Sequence, residues 1–404
     1  MSRRRLTWIL GALAAIGPLS IDTAAVAFPS IARSLGASIP AVQLTLAAYL
    51  GGIVAGQLIH GPLSDRLGRR PPLLGGLSLY TAASVAGALA PTLQVLWAAR
   101  FAQGLGACAV IVVSRAVVRD HCAAREAASV YASRMLVSGV APVVAPVLGG
   151  HLVVAFGWRA VFAVLAAAGL ALALLVALAL PESLAPAGAP APARHPLRGA
   201  AAALRDGSFV RLSLVGGASE AGLFACISAA PFVFIERFGL SPERFGLVGA
   251  ANALAVVGGA LVNRRLVRRV GVARALRAGT TAATVAYAAL AVAVHMGAGA
   301  ALVAAFMIAG VATVGIVLPS ATAGAMDLRG ERAGSASAVL GLVQSGSGVL
   351  ASGAVSLLAD GTPRPMALVM LACSGVALAL SRRGRPRGEA DAVPGRDAVI
   401  GPVR

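Results

Sequence analysis

Lysine is missing from this chain altogether: all 34 basic residues among its 404 are arginine, set against 15 acidic ones. Charged residues of both signs make up only 12% of the chain and aromatic ones 4%. So little polar surface cannot coat a water-soluble globule of this length. Without lysine there is no G-x-x-x-x-G-K-[ST] loop, which removes the usual cradle for nucleotide phosphates and argues against ATP as the energy source. The five histidines are scattered, and neither H-E-x-x-H nor G-x-S-x-G occurs. The chain is therefore read as no enzyme. Four cysteines, Cys108, Cys122, Cys226 and Cys373, stand far apart with no C-x-x-C spacing, so they are read as isolated thiols, neither a zinc site nor a disulfide framework. No cofactor and no metal are expected.

What the chain has in abundance is hydrophobic length, with 58% hydrophobic residues and a mean hydropathy of +0.85. Its partner is a lipid bilayer. Runs of roughly 18 to 25 apolar residues predict twelve spans, at 6–28, 40–63, 72–90, 94–117, 128–155, 158–180, 209–235, 244–267, 272–295, 299–325, 333–358 and 364–381. The expected class is an all-α membrane protein. Arginines from Arg3 to Arg5, in the stretch after Gly61, from Arg115 to Arg125, from Arg194 to Arg211, from Arg264 to Arg277, at Arg329 and Arg332 and in the tail from Arg382 all fall on one side. The other side has Arg33, Arg159, Arg237, Arg244 and Arg364. The excess of positive charge in cytoplasmic connections predicts that both termini lie in the cytoplasm, with the chain in the cytoplasmic membrane. A formal charge of +19 spread over short loops makes no contiguous patch, so nucleic acid is not an expected partner.

The opening stretch, RRRLTWILGALAAIGPLS, has the basic start of a secretion signal, and Ala25-Val26-Ala27 resembles a cleavage site. The apolar run continues beyond signal length and carries Asp22, which favours a retained functional helix. Near the middle, the Pro- and Ala-rich segment from Pro181 to Gly207 interrupts the hydrophobicity. This divides the chain into a first six-helix half at 1–181, a linker at 182–207, a second six-helix half at 208–381 and a basic tail at 382–404. A worn repeat supports two pseudo-symmetric halves: Gly259, Asn263 and Arg264 are read as counterparts of Gly61, Asp65 and Arg66.

Ionisable residues inside a bilayer are costly enough to be treated as sites. Asp22 lies past the middle of the first span, Arg100 some two turns into the fourth and Glu220 near the middle of the seventh. Asp22 and Arg100 are expected at similar depth, as a functional or a purely structural ion pair. Gln103 shares the Arg100 face by its spacing of three. Gln43, Gln57, Asn252 and Gln344 are further polar companions, some of which only tie helices together. Arg115 and Arg134 are expected to reach back to the membrane surface. Pro142 and Pro146, one turn apart in the fifth span, predict a kink, and Gly149 and Gly150 beside them predict close contact with the opposite half.

The ten residues GPLSDRLGRR, Gly61 to Arg70, resemble the G-x-x-x-D-R-x-G-R-R signature of the major facilitator superfamily. RFAQGLGA, from Arg100, resembles its fourth-helix motif, and APVVAPVLGG, from Ala141, resembles the fifth-helix motif of its antiporters, with Ala141 and Ala145 where glycines are usual. Together with RAVVRD, GWRAVF and AAPFVFIERFGLSPERFG, these stretches are similar to the bicyclomycin and chloramphenicol resistance (Bcr/CflA) branch of drug:proton antiporters, most clearly over residues 15 to 255. The stretch DTAAVAFP departs from that branch, which usually follows its first-helix Asp with a Met-Tyr-Leu-Pro-like run, so the substrate pocket is expected to differ. The resemblance implies a monomeric exporter of small amphipathic molecules driven by the proton gradient. A metabolite exporter or symporter, and a non-transporting receptor or assembly subunit, are the alternatives. The lone anion Asp65 is expected to face the positive end of the eleventh span near Arg332, latching the halves together. Gly61 is expected to permit close helix approach, Gly68 a tight turn, and Arg66, Arg69 and Arg70 to complete the gating loop.

Overall fold

The computed structural model describes residues 3–121, 124–182, 203–327 and 333–383. Among these, the regular structure is entirely helical. Ten segments are long and apolar enough to cross a membrane. They resolve into twelve spans, because Pro242–His295 is two spans joined at Gly271 and the less apolar Arg70–Ala88 adds another. Span 1 comprises Arg3–Ala14, Ile16–Val26 and Phe28–Leu35; span 2 is Ile39–Leu67, span 3 Arg70–Ala88, span 4 Leu93–His121, span 5 Ala124–Phe156 and span 6 Trp158–Ala179. Span 7 is Gly207–Pro231 continued by Phe232–Arg237. Spans 8 and 9 share Pro242–His295. Span 10 is Ala300–Ala312 with Val314–Asp327, span 11 Ala333–Leu358 and span 12 Arg364–Arg382. The linker residues 183–202 and the tail beyond Arg383 lie outside the described residues, as do Cys122, Arg332 and the side chains of Arg115 and Arg134.

The surface is that of a protein solvated by lipid. Leu178 is 84% exposed and Leu357 87%, values a protein bathed in water would not repeat along span after span. Each half buries its own core. Leu46, Tyr49, Leu77, Tyr80 and Phe162 pack together in the first half, and Phe234, Phe245, Tyr287, Met307 and Met370 in the second. Spans 1, 7 and 10 are not continuous α-helices. The first is interrupted at Ala15 and Ala27, the seventh becomes π-helical over Phe232–Arg237, and the tenth breaks at Thr313, whose hydroxyl donates to the Gly310 carbonyl at 2.6 Å. Such breaks free backbone groups, and in membrane proteins they occur where they line a cavity or pack on protein.

The backbone gives the repeat a different register from the one expected. Gly68 (φ 90°, ψ −178°) and Gly271 (φ 80°, ψ 164°) turn spans 2 and 8 into the spans that follow, both in a region of backbone space that only glycine enters readily. Counting back from that turn, Arg268 holds the place of Asp65. In that count Gly259 falls opposite Gly56, yet it packs as Gly52 does, Gly52 at the Phe101 carbonyl and Gly259 at the Ala312 carbonyl, so the two halves differ by one helical turn between this contact and the turn that follows. Asn263 is buried, accepting from the Ser320 hydroxyl at 2.9 Å. It is a packing residue, and the position equivalent to Asp65 carries the opposite charge. A further correction concerns Gly61: among the described residues no heavy atom lies within 4 Å of where its Cβ would be, so it brings none of them close. The stretch it begins is itself helical as far as Leu67, with Pro62 inside the helix.

Candidate functional site

Glycine sets the geometry of the first-half site. A Cβ on Gly104 would run into the Tyr49 carbonyl, and one on Gly52 into the Phe101 carbonyl, so only glycine lets spans 2 and 4 approach this closely. The contact brings the Tyr49 ring face to 4.3 Å from the Arg100 guanidinium, with Phe162 at 5.9 Å. Arg100 is 1% exposed, and its Nη1 donates to the Ser20 carbonyl at 3.2 Å and to Gln103 Oε1 at 2.5 Å. Gln103 donates to the Ser84 hydroxyl at 2.8 Å, which donates to the Tyr80 carbonyl at 2.7 Å. The Tyr80 and Ser20 hydroxyls are 2.6 Å apart. Gln103 shares the Arg100 face, as its spacing of three implies, and is hydrogen-bonded to it.

The expected pairing of Arg100 with Asp22 is absent. Arg100 reaches span 1 at Ser20, and two residues further along a helix the side chain has turned by about 200°. Asp22 therefore leaves the face that Arg100 occupies. It is half-buried, with no hydrogen bond or ion pair among the described residues, and lies within electrostatic range of Tyr49 and of Cys226 on span 7. The buried cation is instead held by a ring face, a carbonyl and an amide, while its Nε and Nη2 and the Tyr49 hydroxyl have no hydrogen-bond partner among the described residues. Glu220 on span 7 is also half-buried, with Oε2 unpartnered. Asp22 and Glu220 thus stand on spans 1 and 7, which meet across the boundary between the halves. Gln43 lies away from both, at the end of the molecule remote from the termini. Gln57 donates across the boundary to the Ser345 hydroxyl at 3.4 Å, Gln344 donates to Thr322 at 3.5 Å within the second half, and Asn252 Oδ1 has no partner.

At the end carrying the termini, the turn after span 2 is fixed by residues near and far. The Arg69 side chain is 5% exposed, and its Nη1 donates to Asp65 Oδ1 at 2.7 Å, to the Ser64 hydroxyl at 2.8 Å and to the Ser64 carbonyl at 3.0 Å. The backbone N–H groups of Arg69 and Arg70 donate to the two carboxylate oxygens of Glu182, at 2.8 and 3.0 Å, and the Arg70 guanidinium donates to the Ala177 carbonyl. A carboxylate thus sits at the start of span 3, where the helix dipole and free N–H groups favour an anion. Asp65 is engaged by Arg69 in the turn that follows its helix, and Arg66 is exposed. The residues expected to receive the latch, at Arg332 and just before span 11, lie outside the described residues. Glu182 was missed by sequence reasoning, which placed it in the linker.

The two halves meet closely along spans 5 and 8. Built Cβ atoms would lie 2.6 Å from the Pro242 carbonyl oxygen at Gly150 and 2.6 Å from the Pro146 carbonyl oxygen at Gly246. The contact expected of Gly150 is present. Gly149 faces Thr23 of span 1 in its own half. Span 5 runs unbroken through Pro142 and Pro146, and the Pro146 ring packs against Gly249. At the end remote from the termini, Phe28 stacks on Phe232 with centroids 6.4 Å apart, Arg33 pairs with Glu236 at 3.5 Å and the Ser356 hydroxyl donates to the Pro40 carbonyl at 2.7 Å. That end is closed.

Twelve spans in two repeated halves, with unpaired acids on the spans that meet between them, define a multi-pass membrane transporter. The comparison with known proteins agrees: residues 10–352 match the family described as the Major Facilitator Superfamily, and the chain belongs to it. It is 38% identical over 376 residues to an uncharacterized MFS-type transporter, YdgK, of Bacillus subtilis, covering 91% of this chain and 92% of the relative. A bicyclomycin resistance protein homolog of Haemophilus influenzae is 28% identical, with 92% and 95% covered. A chloramphenicol resistance protein of Pseudomonas aeruginosa is 33% identical, with 69% and 68% covered. Among solved structures, a D-xylose-proton symporter has the same fold, with a TM-score of 0.75, 14% identity and 93% and 97% of the two chains covered.

Proposed function

We propose that this transporter is a drug:proton antiporter of the cytoplasmic membrane, with both termini inside, exporting small amphipathic molecules as a monomer by alternating access between its halves. The observation that carries the reading is Asp22, a half-buried carboxylate without a counter-ion, facing span 7 across the boundary. Either a proton or a polar group of the substrate must compensate its charge. Two ligands competing for one carboxylate is the chemistry that antiport requires. Glu220 is a second acid of the same kind on the facing span. No cofactor is needed, since the membrane potential supplies about 2.3 kcal/mol per elementary charge per 100 mV. The two relatives named for resistance to bicyclomycin and chloramphenicol support the choice of substrate class.

The test is proton movement in proteoliposomes loaded with a pH-sensitive dye and offered bicyclomycin, chloramphenicol and a panel of metabolites. Drug addition is expected to move protons in the wild type. Asp22→Asn is expected to abolish uphill export while part of the substrate binding survives. Wild-type uphill export by Asp22→Asn would move the proton site to Glu220, and a response to one metabolite alone would overturn the drug reading.

A further inference from the structure

A cleft of about 540 Å³, counting its open mouth, lies between the halves at the end remote from the termini. Gln43 enters it from span 2, while Phe232, Val233 and Met366 wall it from spans 7 and 12, and Glu236 and Thr362 stand at its exposed rim. Gln43 is 2% exposed, and its Oε1 has no hydrogen-bond partner. Native proteins rarely leave such a group unpaired. Apolar walls around one unsatisfied polar group, opening to solvent, are the make-up of a small-molecule site.

We propose that this cleft is a second binding site, distinct from the Asp22 region, for a neutral ligand with a compact apolar body and an amide N–H donor. The unpaired acceptor is Gln43 Oε1, which the N–H of a ligand amide satisfies with one hydrogen bond. Neutrality follows from the lining itself, whose charged residues are Glu236 and Arg237, one of each sign. Because the walls come from both halves, an occupant joins them and holds this end shut. A ligand that binds only one arrangement shifts the population toward it.

The experiment uses the purified full-length protein in detergent, so its result is independent of transport direction and proton coupling. A cysteine is placed on the cleft wall at the small, partly exposed Ala359 (Ala359→Cys), and the rate of maleimide labelling above that of the parent protein is measured. Benzamide is expected to slow labelling at least threefold at saturation, while N,N-dimethylbenzamide, with the same body and no N–H donor, leaves it unchanged. In a Gln43→Leu background the difference between the two compounds is expected to vanish. Equal protection by both compounds, protection by neither, or a benzamide preference that survives Gln43→Leu would each overturn the proposal. If Gln43→Leu does not fold, the two-compound comparison on Ala359→Cys alone still decides.

Discussion

Glu182 satisfies two backbone N–H groups at the start of span 3, and in doing so ties the turn between spans 2 and 3 to the end of span 6, 113 residues away. A charged group at a helix N-terminus contributes about 0.3 to 1 kcal/mol when exposed, enough to bias a conformational equilibrium without freezing it. Glu182→Gln keeps one acceptor but turns a donor toward the second N–H. It is expected to lower the melting temperature only slightly and to slow transport several-fold, measured as initial drug flux at fixed protein density; unchanged flux would show the contact to be architectural. Asp65 and Gly68 could be found in the sequence because they belong to one contiguous signature. Glu182 could not, because its partners are distant and its neighbours read as linker. Asp22, Arg100 and Glu220 were legible as charges inside apolar runs. Which way Asp22 faces was not, because depth along a helix says nothing about its rotation.

Spans 5 and 8 form a seam in which the side chains missing from Gly150 and Gly246 matter as much as those present. Gly150→Val would place a branched side chain where a single Cβ already lies 2.6 Å from the Pro242 carbonyl oxygen and 2.8 Å from the Glu243 Cα. Neither backbone atom can rotate away. Overpacking of this kind costs about 1 to 3 kcal/mol, and only in arrangements that bring the two spans together. Gly150→Val is therefore expected to increase maleimide labelling of a cysteine at the otherwise buried Phe232 position (Phe232→Cys), with transport impaired. Unaltered labelling would show that the seam tolerates separation without opening this end. The twelve hydrophobic runs foretold the spans to within a few residues in most cases, because hydrophobic length is what a bilayer demands. Span 1 is the exception, since it continues past its apolar core to Leu35. The register of the internal repeat is not legible in the residues, because the counterpart of the turn after span 2 is marked by a backbone conformation at Gly271 that residue identities alone do not display.

Over the whole molecule, closure at the end remote from the termini rests, beside the seam at Gly150, on few side-chain contacts among the described residues: one aromatic stack, one ion pair 3.5 Å long and one hydroxyl-to-carbonyl bond. The ion pair is well exposed, with Arg33 68% and Glu236 41% accessible, so its worth is at most about 1 kcal/mol and falls with salt. An end held this lightly can open. Joining Arg33→Cys to Glu236→Cys with a short bifunctional thiol reagent is expected to stop net transport while leaving the protein folded, with activity returning on reductive release. Undiminished flux after complete cross-linking would mean that substrate does not leave between spans 1 and 7.

The Glu182 clamp also says where the polypeptide can be severed. The Glu182 contacts with the turn between spans 2 and 3 are in place once the chain has passed that residue, and span 7 of the second half starts at Gly207. Two separately synthesised fragments, 1–190 and 191–404, should find each other in the membrane through the seams already described and restore transport on co-expression. Moving the break back to Leu180 strips the clamp from the first fragment and should leave complementation weak, so the continuity of the chain is needed up to that carboxylate and dispensable just beyond it.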